Sequence, residues 1–335
     1  MEKPDFASRM GKLKILMEKK RLDACLLNSR NDIFYYTGES IGDFSSLLVS
    51  SGKPCIFLTP LNNYVQKTSA FAVVWVRGIA DIAKRLSRFK RTGFDEYTTS
   101  FWAFSELKKS KCSLVPFASQ IKQPRMIKDE FELEHIGKAS KIASKTLSNL
   151  GDLSGKTEMQ VSDSIENAFR SSYSKPSFET IVASGKNSSH VHHINSSRTI
   201  GKKDLVVIDA GAVIDSYCSD ISRTLCSLPG KREKQIIENV KETQCELIDM
   251  ISEGVKYDDI QRKFENLMRK KRYKVLHSFG HGIGLSVHER PSKGDTLKEG
   301  MAITVEPGAY IKNFGGCRIE DIAIVRKGRA KILSS

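Results

Sequence analysis

The chain has 335 residues, more than the roughly 100 to 200 residues of one typical domain, so we expect two domains, each with its own core. Hydrophobic residues make up 39% and charged residues 28%, which is ordinary globular usage and excludes a disordered or low-complexity chain. The formal net charge of +15 admits an anionic partner, but the longest apolar run, Ala70 to Val76, is too short to span a membrane.

The first 125 residues alternate helical and extended patterns. Leu13, Leu16 and Met17 form one helical stripe. Short apolar runs predict buried strands at 24–27, 47–49, 55–58 and 72–76. This alternation indicates an α/β domain over residues 1–125. No histidine occurs in it, so we expect the chemistry elsewhere.

The pattern changes near Pro124, and we place the domain boundary between residues 125 and 126. Asp129 then begins a long helical pattern. Thr157 and Gln160 form a capping box, the reciprocal pairing that starts many amphipathic helices. The second domain therefore covers residues 126–335 and begins with two helices.

Two further helices and several strands complete the expected second domain. Apolar residues recur at helical spacing from Ile236 to Ile251, and Asp258 is positioned to cap the helix that follows. Apolar runs predict strands at 205–209, 217–225, 302–306 and 318–325. Helices on a largely antiparallel sheet place this domain in the α+β class.

Acidic residues stand at the ends of these predicted strands or inside them. Asp209 and Asp220 would be directly opposed if the chain turned between residues 214 and 215. Glu306 ends another apolar run, and Glu320 lies within a fourth. Buried carboxylates this close repel each other unless a cation compensates them. The aspartate pair by itself also fits an ordinary turn or capping residue.

His281 lies in the loop Gly280-His-Gly-Ile-Gly284, where glycines leave the imidazole accessible. One histidine with four carboxylates suits two divalent ions, such as manganese, cobalt, zinc or iron, better than a thiolate-rich zinc site. Two glycine-containing motifs carry no functional prediction. Residues 151–157 are one residue short of a phosphate-binding loop, and the glycines at 280–284 lack the spacing of a dinucleotide site.

Several segments resemble one known family. They are residues 177–185, 192–198, 207–212, 217–224, 280–291, 305–308 and 318–321. In order and spacing they resemble the M24 metallopeptidases, which include Xaa-Pro dipeptidases (prolidases), Xaa-Pro aminopeptidases and methionine aminopeptidases. Residues 31–38, Asn-Asp-Ile-Phe-Tyr-Tyr-Thr-Gly, are similar to creatinase-type amino-terminal domains. The resemblance implies an α/β creatinase-like domain followed by an α+β "pita-bread" catalytic domain.

The resemblance also implies a dinuclear metal site. Asp209 would hold one ion, Asp220 and Glu320 would bridge both, and His281 and Glu306 would complete the second. Two cations in such a site would activate water for attack on the peptide carbonyl and stabilise the resulting negative oxygen.

Four residues are implied in catalysis by the same resemblance. Glu306 would shuttle a proton, His192 and His288 would hold the substrate carbonyl and the leaving proline, and Arg318 would orient the bridging carboxylates. His192 also fits an ordinary surface histidine. Structural roles are assigned to His190, His193 and His277.

The leading hypothesis is a prolidase-like exopeptidase with two metal ions that hydrolyses the Xaa-Pro bond of dipeptides or short peptides. Ser292 stands where some prolidases have an arginine suited to a dipeptide carboxylate, with Arg290 and Lys293 as possible substitutes, so an Xaa-Pro aminopeptidase acting on longer peptides is the main competing hypothesis. The sequence also leaves open an aminopeptidase of different specificity, a hydrolase of another small C–N substrate, and a non-catalytic basic binding module.

Compartment and partners follow from weaker signals. The first residues lack a signal-peptide pattern, and seven scattered cysteines fit reduced thiols, so we expect a soluble cytoplasmic protein. The basic run 269–272 ends a predicted helix and fits a solvated face, so nucleic acid is not expected as a partner. The expected partners are a proline-containing peptide and, by the family resemblance, a second copy of the chain in a homodimer.

Overall fold

The computed structural model describes residues 4–42, 44–62 and 70–334. The chain divides into two compact units, residues 1–125 and 126–335. Within the described ranges, no helix is both long and apolar enough to cross a membrane.

The first unit contains one mixed sheet and five helices in its described part. In chain order the elements are α1 Phe6–Lys19, β1 Ala24–Leu27, α2 Arg30–Thr37, β2 Ser46–Ser50, β3 Cys55–Leu58, β4 Ala72–Trp75, α3 Ile79–Leu86, β5 Arg91–Phe94, α4 Phe101–Lys108, β6 Ser113–Pro116 and α5 Ala118–Lys122. The strand order is β4-β3-β2-β1-β5-β6, with β1 antiparallel to β2 and parallel to β5. The predicted α/β class is confirmed.

The second unit is built from helices and short antiparallel strands. Its elements are α6 Glu130–Ser148, α7 Glu158–Ser171, β7 Lys175–Pro176, β8 Ile181–Ser184, β9 Val206–Ala210, β10 Ala212–Ile214, β11 Tyr217–Cys218, β12 Ile221–Leu225, α8 Lys231–Met250, α9 Tyr257–Lys270, β13 Ala302–Val305, β14 Gly308–Ile311, β15 Gly315–Arg318, β16 Asp321–Ile324 and β17 Lys331–Ile332. They form the sheets β11-β10-β7, β12-β9-β8, β13-β16-β17 and β14-β15. This arrangement confirms the predicted α+β class.

Two apolar cores support these sheets from their helix-covered sides. In one, α6 and α7 contribute Ala143 and Phe169, which cluster with Ile208 of β9. In the other, α8 and α9 contribute Val240 and Phe264, in a cluster that also includes residues of β13 and β16. Helix pairs that cover the sheets in this way leave the other strand faces available for polar side chains.

The helix starts follow the sequence prediction in two cases and depart from it in one. The side chain of Asp129 caps α6, and Thr157 and Gln160 form the predicted capping box of α7. The predicted cap at Asp258 is wrong, because α9 begins at Tyr257 and Asp258 lies in its first turn. The carboxylate of Asp258 does not cap the helix but accepts the backbone N–H of Gly294 at 3.2 Å, and the Tyr257 hydroxyl donates to the carbonyl of Gly280 at 2.6 Å.

Two of the predicted strands are interrupted. The segment 217–225 forms β11 and β12, and Asp220 lies in the break between them. In the segment 318–325, Arg318 is the last residue of β15, and β16 begins at Asp321, so Glu320 lies in the break between the two strands. Glu306 likewise lies between β13 and β14. Continuous strands were therefore the wrong prediction. A break of this kind frees a residue from the ladder and can redirect its side chain.

The predicted pairing of Asp209 with Asp220 is wrong by two residues. Asp209 lies opposite Ser222 in the β9–β12 pair. The hairpin between β10 and β11 turns at Asp215 and Ser216, whose φ angles are +47° and +73°. This two-residue turn has left-handed φ angles at both central positions, and it moves the centre of the hairpin one position along the chain.

Candidate metal centre

The candidate metal ligands come together on one side of the second unit. Ligand atoms of Asp220, His281 and Glu320 all lie within 4.8 Å of one another. Nε2 of His281 is 3.6 Å from Oδ2 of Asp220 and 3.6 Å from Oε1 of Glu306. Asp209 lies on β9 opposite Ser222, and its charge contributes to the raised pKa of Asp220.

Three oxygens of this cluster are buried without a hydrogen-bond donor among the described residues: Oδ1 of Asp209, Oδ1 of Asp220 and Oε1 of Glu320. A buried carboxylate oxygen without a partner costs free energy, and such atoms are rare in folded proteins. Three in one cluster are therefore a feature that the protein's own donors do not explain. A bound cation would satisfy all of them.

The pKa values of these acids show the same shortage of positive charge. Burial raises the pKa of Asp220 and of Glu320 well above the ordinary values, and neighbouring carboxylates raise both further. Burial also raises the pKa of Glu306 to about 8, with Arg318 opposing the rise and Asp209 adding to it. Divalent cations reverse this situation, because they favour the ionised carboxylates that coordinate them.

His281 presents a lone pair to the carboxylates. Burial lowers the pKa of His281 to about 4, so its ring is neutral near pH 7. Nδ1 lies 3.1 Å from the carbonyl oxygen of Gly282, so Nδ1 carries the hydrogen and donates it there. Nε2 is then left as the acceptor that faces Asp220 and Glu306. Metal-binding histidines are commonly held in this way through their second nitrogen.

The loop before His281 has a steric requirement for glycine. A Cβ at Gly280 would collide with the backbone carbonyl of Thr304, and the Thr304 hydroxyl accepts the backbone N–H of His281 at 3.0 Å. The loop therefore lies directly on β13. This close approach fixes His281 relative to Glu306, which follows the same strand.

Arg318 is the buried cation that contacts the cluster. Its side chain is 2% exposed, and Nη2 donates to Oδ2 of Asp209 at 2.7 Å. Nε donates to the Ser222 hydroxyl at 2.7 Å, and that hydroxyl donates to Oε2 of Glu320 at 2.9 Å. Arg318 thus orients Asp209 directly and Glu320 through Ser222. The sequence alone gave no indication of Ser222 as the intermediary.

His277 and Tyr310 lie beside the site, although the sequence analysis assigned His277 a structural role and did not consider Tyr310. Nε2 of His277 accepts the Tyr310 hydroxyl at 2.8 Å, and that hydroxyl accepts Nη1 of Arg318 at 3.0 Å. Nδ1 of His277 lies 3.8 Å from Oε2 of Glu306. Burial lowers the pKa of His277 to about 4, so the ring is neutral. The available signal was the four-residue spacing of His277 from His281.

The remaining histidines have distinct surroundings. The ring of His288 lies 4.3 Å from that of His281, and both His288 and His192 are exposed. His192 is close enough to His277 for its charge to contribute to the lowered pKa of that residue. His193 instead pairs with buried Glu158 at 2.8 Å.

The geometry and donor types of the cluster fit divalent metal ions. Four carboxylates and one neutral imidazole lie close together. Three of the buried carboxylate oxygens have no hydrogen-bond partner among the described residues, and the cation that contacts the cluster there is one buried guanidinium. This donor set is typical of sites that hold manganese, cobalt, zinc or iron rather than a thiolate-bound structural zinc.

Comparison with known proteins agrees with this chemistry. Residues 134–327 match the Metallopeptidase family M24, and residues 9–127 match the Creatinase/Prolidase N-terminal domain. The Xaa-Pro dipeptidase of Pyrococcus horikoshii is 33% identical over 340 residues, which cover 97% of this chain and 96% of the relative. An uncharacterized peptidase of Methanocaldococcus jannaschii is 31% identical, over 95% of this chain and 92% of that protein.

Solved structures give the same assignment. The prolidase from Pyrococcus horikoshii has a TM-score of 0.92 at 32% identity and covers 98% of both chains. The X-Pro aminopeptidase from Thermotoga maritima has a TM-score of 0.88 at 28% identity, with 97% of both chains covered. Because the family match covers more than half of the chain and both domains match in order, this protein belongs to metallopeptidase family M24, with a creatinase/prolidase amino-terminal domain and a pita-bread catalytic domain.

Proposed function

We propose that the protein is a dinuclear-metal Xaa-Pro dipeptidase. The observation that carries this proposal is the convergence of Asp220, His281 and Glu320 ligand atoms within 4.8 Å, with buried oxygens that accept no bond from the described residues. Similarity to Xaa-Pro dipeptidases over nearly the whole chain supports the substrate class.

In this proposal five side chains hold the metal. Asp209, Asp220, His281, Glu306 and Glu320 would supply the carboxylate oxygens and the imidazole nitrogen that bind the ions. Bound divalent ions would lower the pKa of a coordinated water and stabilise negative charge on the substrate oxygen. The number of ions and their identity belong to the proposal. Metal analysis of protein purified without chelator tests both.

The other site residues would bind the substrate and move protons. Glu306 is partly exposed, at 16% of its side chain, so its carboxylate can receive a proton at the start of hydrolysis and return it to the leaving nitrogen. His192 and His288 are exposed imidazoles at the edge of the site, suited to hold the substrate carbonyl and the proline. Arg318 would keep Asp209 oriented through its 2.7 Å bond.

One observation bears on whether the protein is instead an aminopeptidase. Arg290 is held by Asp295, to which its Nε donates at 3.0 Å and its Nη2 also donates, so its guanidinium is committed to an internal carboxylate. Ser292 offers no charge, and Lys293 is exposed. Recognition of a dipeptide carboxylate would then depend on Lys293 or on other residues. Weak carboxylate recognition favours longer substrates, so peptide length is the decisive variable.

The test compares Xaa-Pro dipeptides with Xaa-Pro-Yaa tripeptides. Metal-stripped protein would be resupplied with manganese, cobalt or zinc, and the Asp220→Asn variant would serve as the inactive control. Preferential cleavage of dipeptides supports the proposal, and a preference for tripeptides replaces it with an Xaa-Pro aminopeptidase. If no metal restores cleavage and the stripped protein binds none, the catalytic proposal fails and a non-catalytic binding module takes its place.

Two further expectations belong to this proposal. A homodimer is implied by the family resemblance, and size-exclusion chromatography with light scattering measures it. A cytoplasmic location stays a prediction from the sequence, which fractionation of the source cells tests.

A further inference from the structure

The segment that carries His192 has little regular structure of its own. It follows β8 and a short 3₁₀ turn, Gly185–Ser189, and residues 190–205 then run to β9 with no helix or strand beyond an isolated bridge between Thr199 and Thr157. A segment of this kind holds a side chain in place only if other elements anchor it. The anchors of this segment therefore determine where His192 lies.

Its principal anchor is the buried carboxylate of Glu158, the first residue of α7. Oε1 accepts the backbone N–H of Ser184 at 2.8 Å, the Ser184 hydroxyl at 2.7 Å and Nδ2 of Asn187 at 3.0 Å. Oε2 bonds Nε2 of His193 at 2.8 Å, the Ser196 backbone N–H at 3.0 Å and the Ser196 hydroxyl at 2.5 Å. One carboxylate thus ties β8, the 3₁₀ turn and the irregular segment together.

The environment of Glu158 is built for an ionised carboxylate. The residue is 0% exposed and lies in the first turn of α7, where the helix dipole favours negative charge. Burial opposes ionisation, but bonds from Ser196, His193 and Ser184 outweigh it and lower the pKa of Glu158 to about 2. The carboxylate therefore stays charged and keeps all its bonds across the physiological pH range.

Arg318, which contacts the candidate metal ligands, provides a second anchor for the segment. Nη1 of Arg318 donates to the backbone carbonyl of Val191 at 3.3 Å, while Glu158 holds His193. His192 is the one residue between these two anchored neighbours. The residue before His192 is thus held by Arg318, and the residue after it is held by Glu158.

We infer that Glu158 is a positioning residue for His192, acting through His193 and Ser196 without contacting substrate or metal. The inference rests on the proposed peptidase function for its kinetic consequence, and on the hydrogen bonds alone for its structural one. Loss of the carboxylate would release the segment, and misplacing a substrate-binding group by about 1 Å can cost about 100-fold in rate.

The experiment is a double-mutant cycle on the metal-loaded full chain, with Glu158→Gln and His192→Ala singly and together. Glutamine has nearly the same volume as glutamate. Its amide NH₂ group cannot accept hydrogen bonds, so the donors that face this group lose their acceptor. The readouts are kcat and KM for an Xaa-Pro dipeptide, melting temperature, and hydrogen exchange of residues 190–199. Thr157→Ala is the matched control, because it removes the cap of the same helix but none of the six bonds to Glu158.

The expected result has two parts. Glu158→Gln lowers kcat/KM by about 10- to 100-fold in the wild-type background, and by less than about twofold when His192 is already alanine. Exchange over residues 190–199 rises in Glu158→Gln and not in Thr157→Ala. A purely structural role would instead lower activity equally in both backgrounds, in step with melting temperature, and that result overturns the inference.

Two further outcomes also have a defined meaning. If Glu158→Gln does not fold, Ser196→Ala enters the same cycle, since it removes one of the six bonds to Glu158 together with the bond that the Ser196 hydroxyl accepts from the Arg198 backbone N–H. If the wild-type protein cleaves no Xaa-Pro peptide, the proposed function fails, and hydrogen exchange alone decides the inference. If hydrogen exchange over residues 190–199 is the same in folded Glu158→Gln as in the wild type, the inference is overturned, whether or not the wild type is active.

Discussion

Replacing Arg318 by methionine should destabilise the metal-free protein far more than the metal-loaded protein. The side chain of Arg318 is 2% exposed, and that of its partner Asp209 is 14% exposed. Methionine retains much of the apolar volume but removes the charge and its hydrogen bonds. Asp209 is then left as a mostly buried carboxylate without a cation.

The magnitude follows from the 2.7 Å separation of the two groups. At an effective dielectric constant of about 20, that distance gives a gross attraction of about 6 kcal/mol. Breaking a buried pair by removing one partner costs a net of about 3–5 kcal/mol. For a unit of this size the loss corresponds to a fall in melting temperature of roughly 6–20 °C. A metal ion at Asp209 would supply the missing charge and reduce the loss.

Urea and thermal unfolding of both proteins, with and without metal, measures this difference. Arg262→Met is the control, because Arg262 is 69% exposed and pairs with Asp259 on the surface of α9. The control should change the free energy of unfolding by less than about 0.5 kcal/mol. The reasoning is refuted if Arg318→Met matches the control in the metal-free state, or if its cost is the same with and without metal.

Three other perturbations have defined outcomes. Asp220→Asn should abolish metal retention, measured by elemental analysis, and lower hydrolysis by at least about 100-fold. It should not lower the melting temperature of the metal-free protein, because one repelling carboxylate is removed. Glu158 has a folded pKa of about 2 against an ordinary 4.5, so its ionic contribution is complete above pH 4.5 and lost as pH falls toward 2. The stability gap between wild type and Glu158→Gln, about 3 kcal/mol from this source, should therefore narrow over that window in unfolding titrations. Gly280→Ala should cost at least about 1–3 kcal/mol and weaken metal binding in calorimetry, because its methyl group meets the Thr304 carbonyl, whereas Gly328→Ala meets nothing within 4 Å and should be neutral.

Apolar runs predicted strands β1 to β4 of the first unit but missed β5 and the edge strand β6. Strands β1 and β3 begin and end where the sequence placed them, at 24–27 and 55–58. Strand β5, Arg-Thr-Gly-Phe, has no apolar run, yet residues 92–94 are buried. Gly93 packs closely there, since a Cβ would come within 2.8 Å of the Leu22 side chain and 3.1 Å of the Phe117 side chain. Burial of β5 comes from its neighbours β1 and β6, which local sequence does not report.

The metal-binding residues of the candidate site could be predicted from residue type and sequence context. The residues that support them could not, because their positions depend on the fold. Acids in apolar segments and a histidine among glycines are conspicuous because burial makes them costly. Tyr310, Ser222 and His277 carry no such cost in sequence, since each is common in ordinary structural roles. Their place beside Arg318 and Glu306 depends on contacts between distant strands. Local pattern cannot supply such contacts.

The carboxylates converge as predicted, although the predicted pairing of Asp209 was wrong. Side chains alternate between the two faces of a strand, so a shift of one residue would have moved Asp220 to the opposite face. The actual shift is two residues: Ser222 is the true partner of Asp209 and lies on the same face. Asp220, in the break before β12, still has its Oδ2 atom 3.6 Å from Nε2 of His281. Ser222 contacts both Glu320 and Arg318, so this face is the one that carries the site. The residue types of Asp215 and Ser216 favour a turn, and the turn does lie there, with left-handed φ angles at both residues. The predicted direct opposition failed because it placed the centre of the turn one position earlier, between residues 214 and 215.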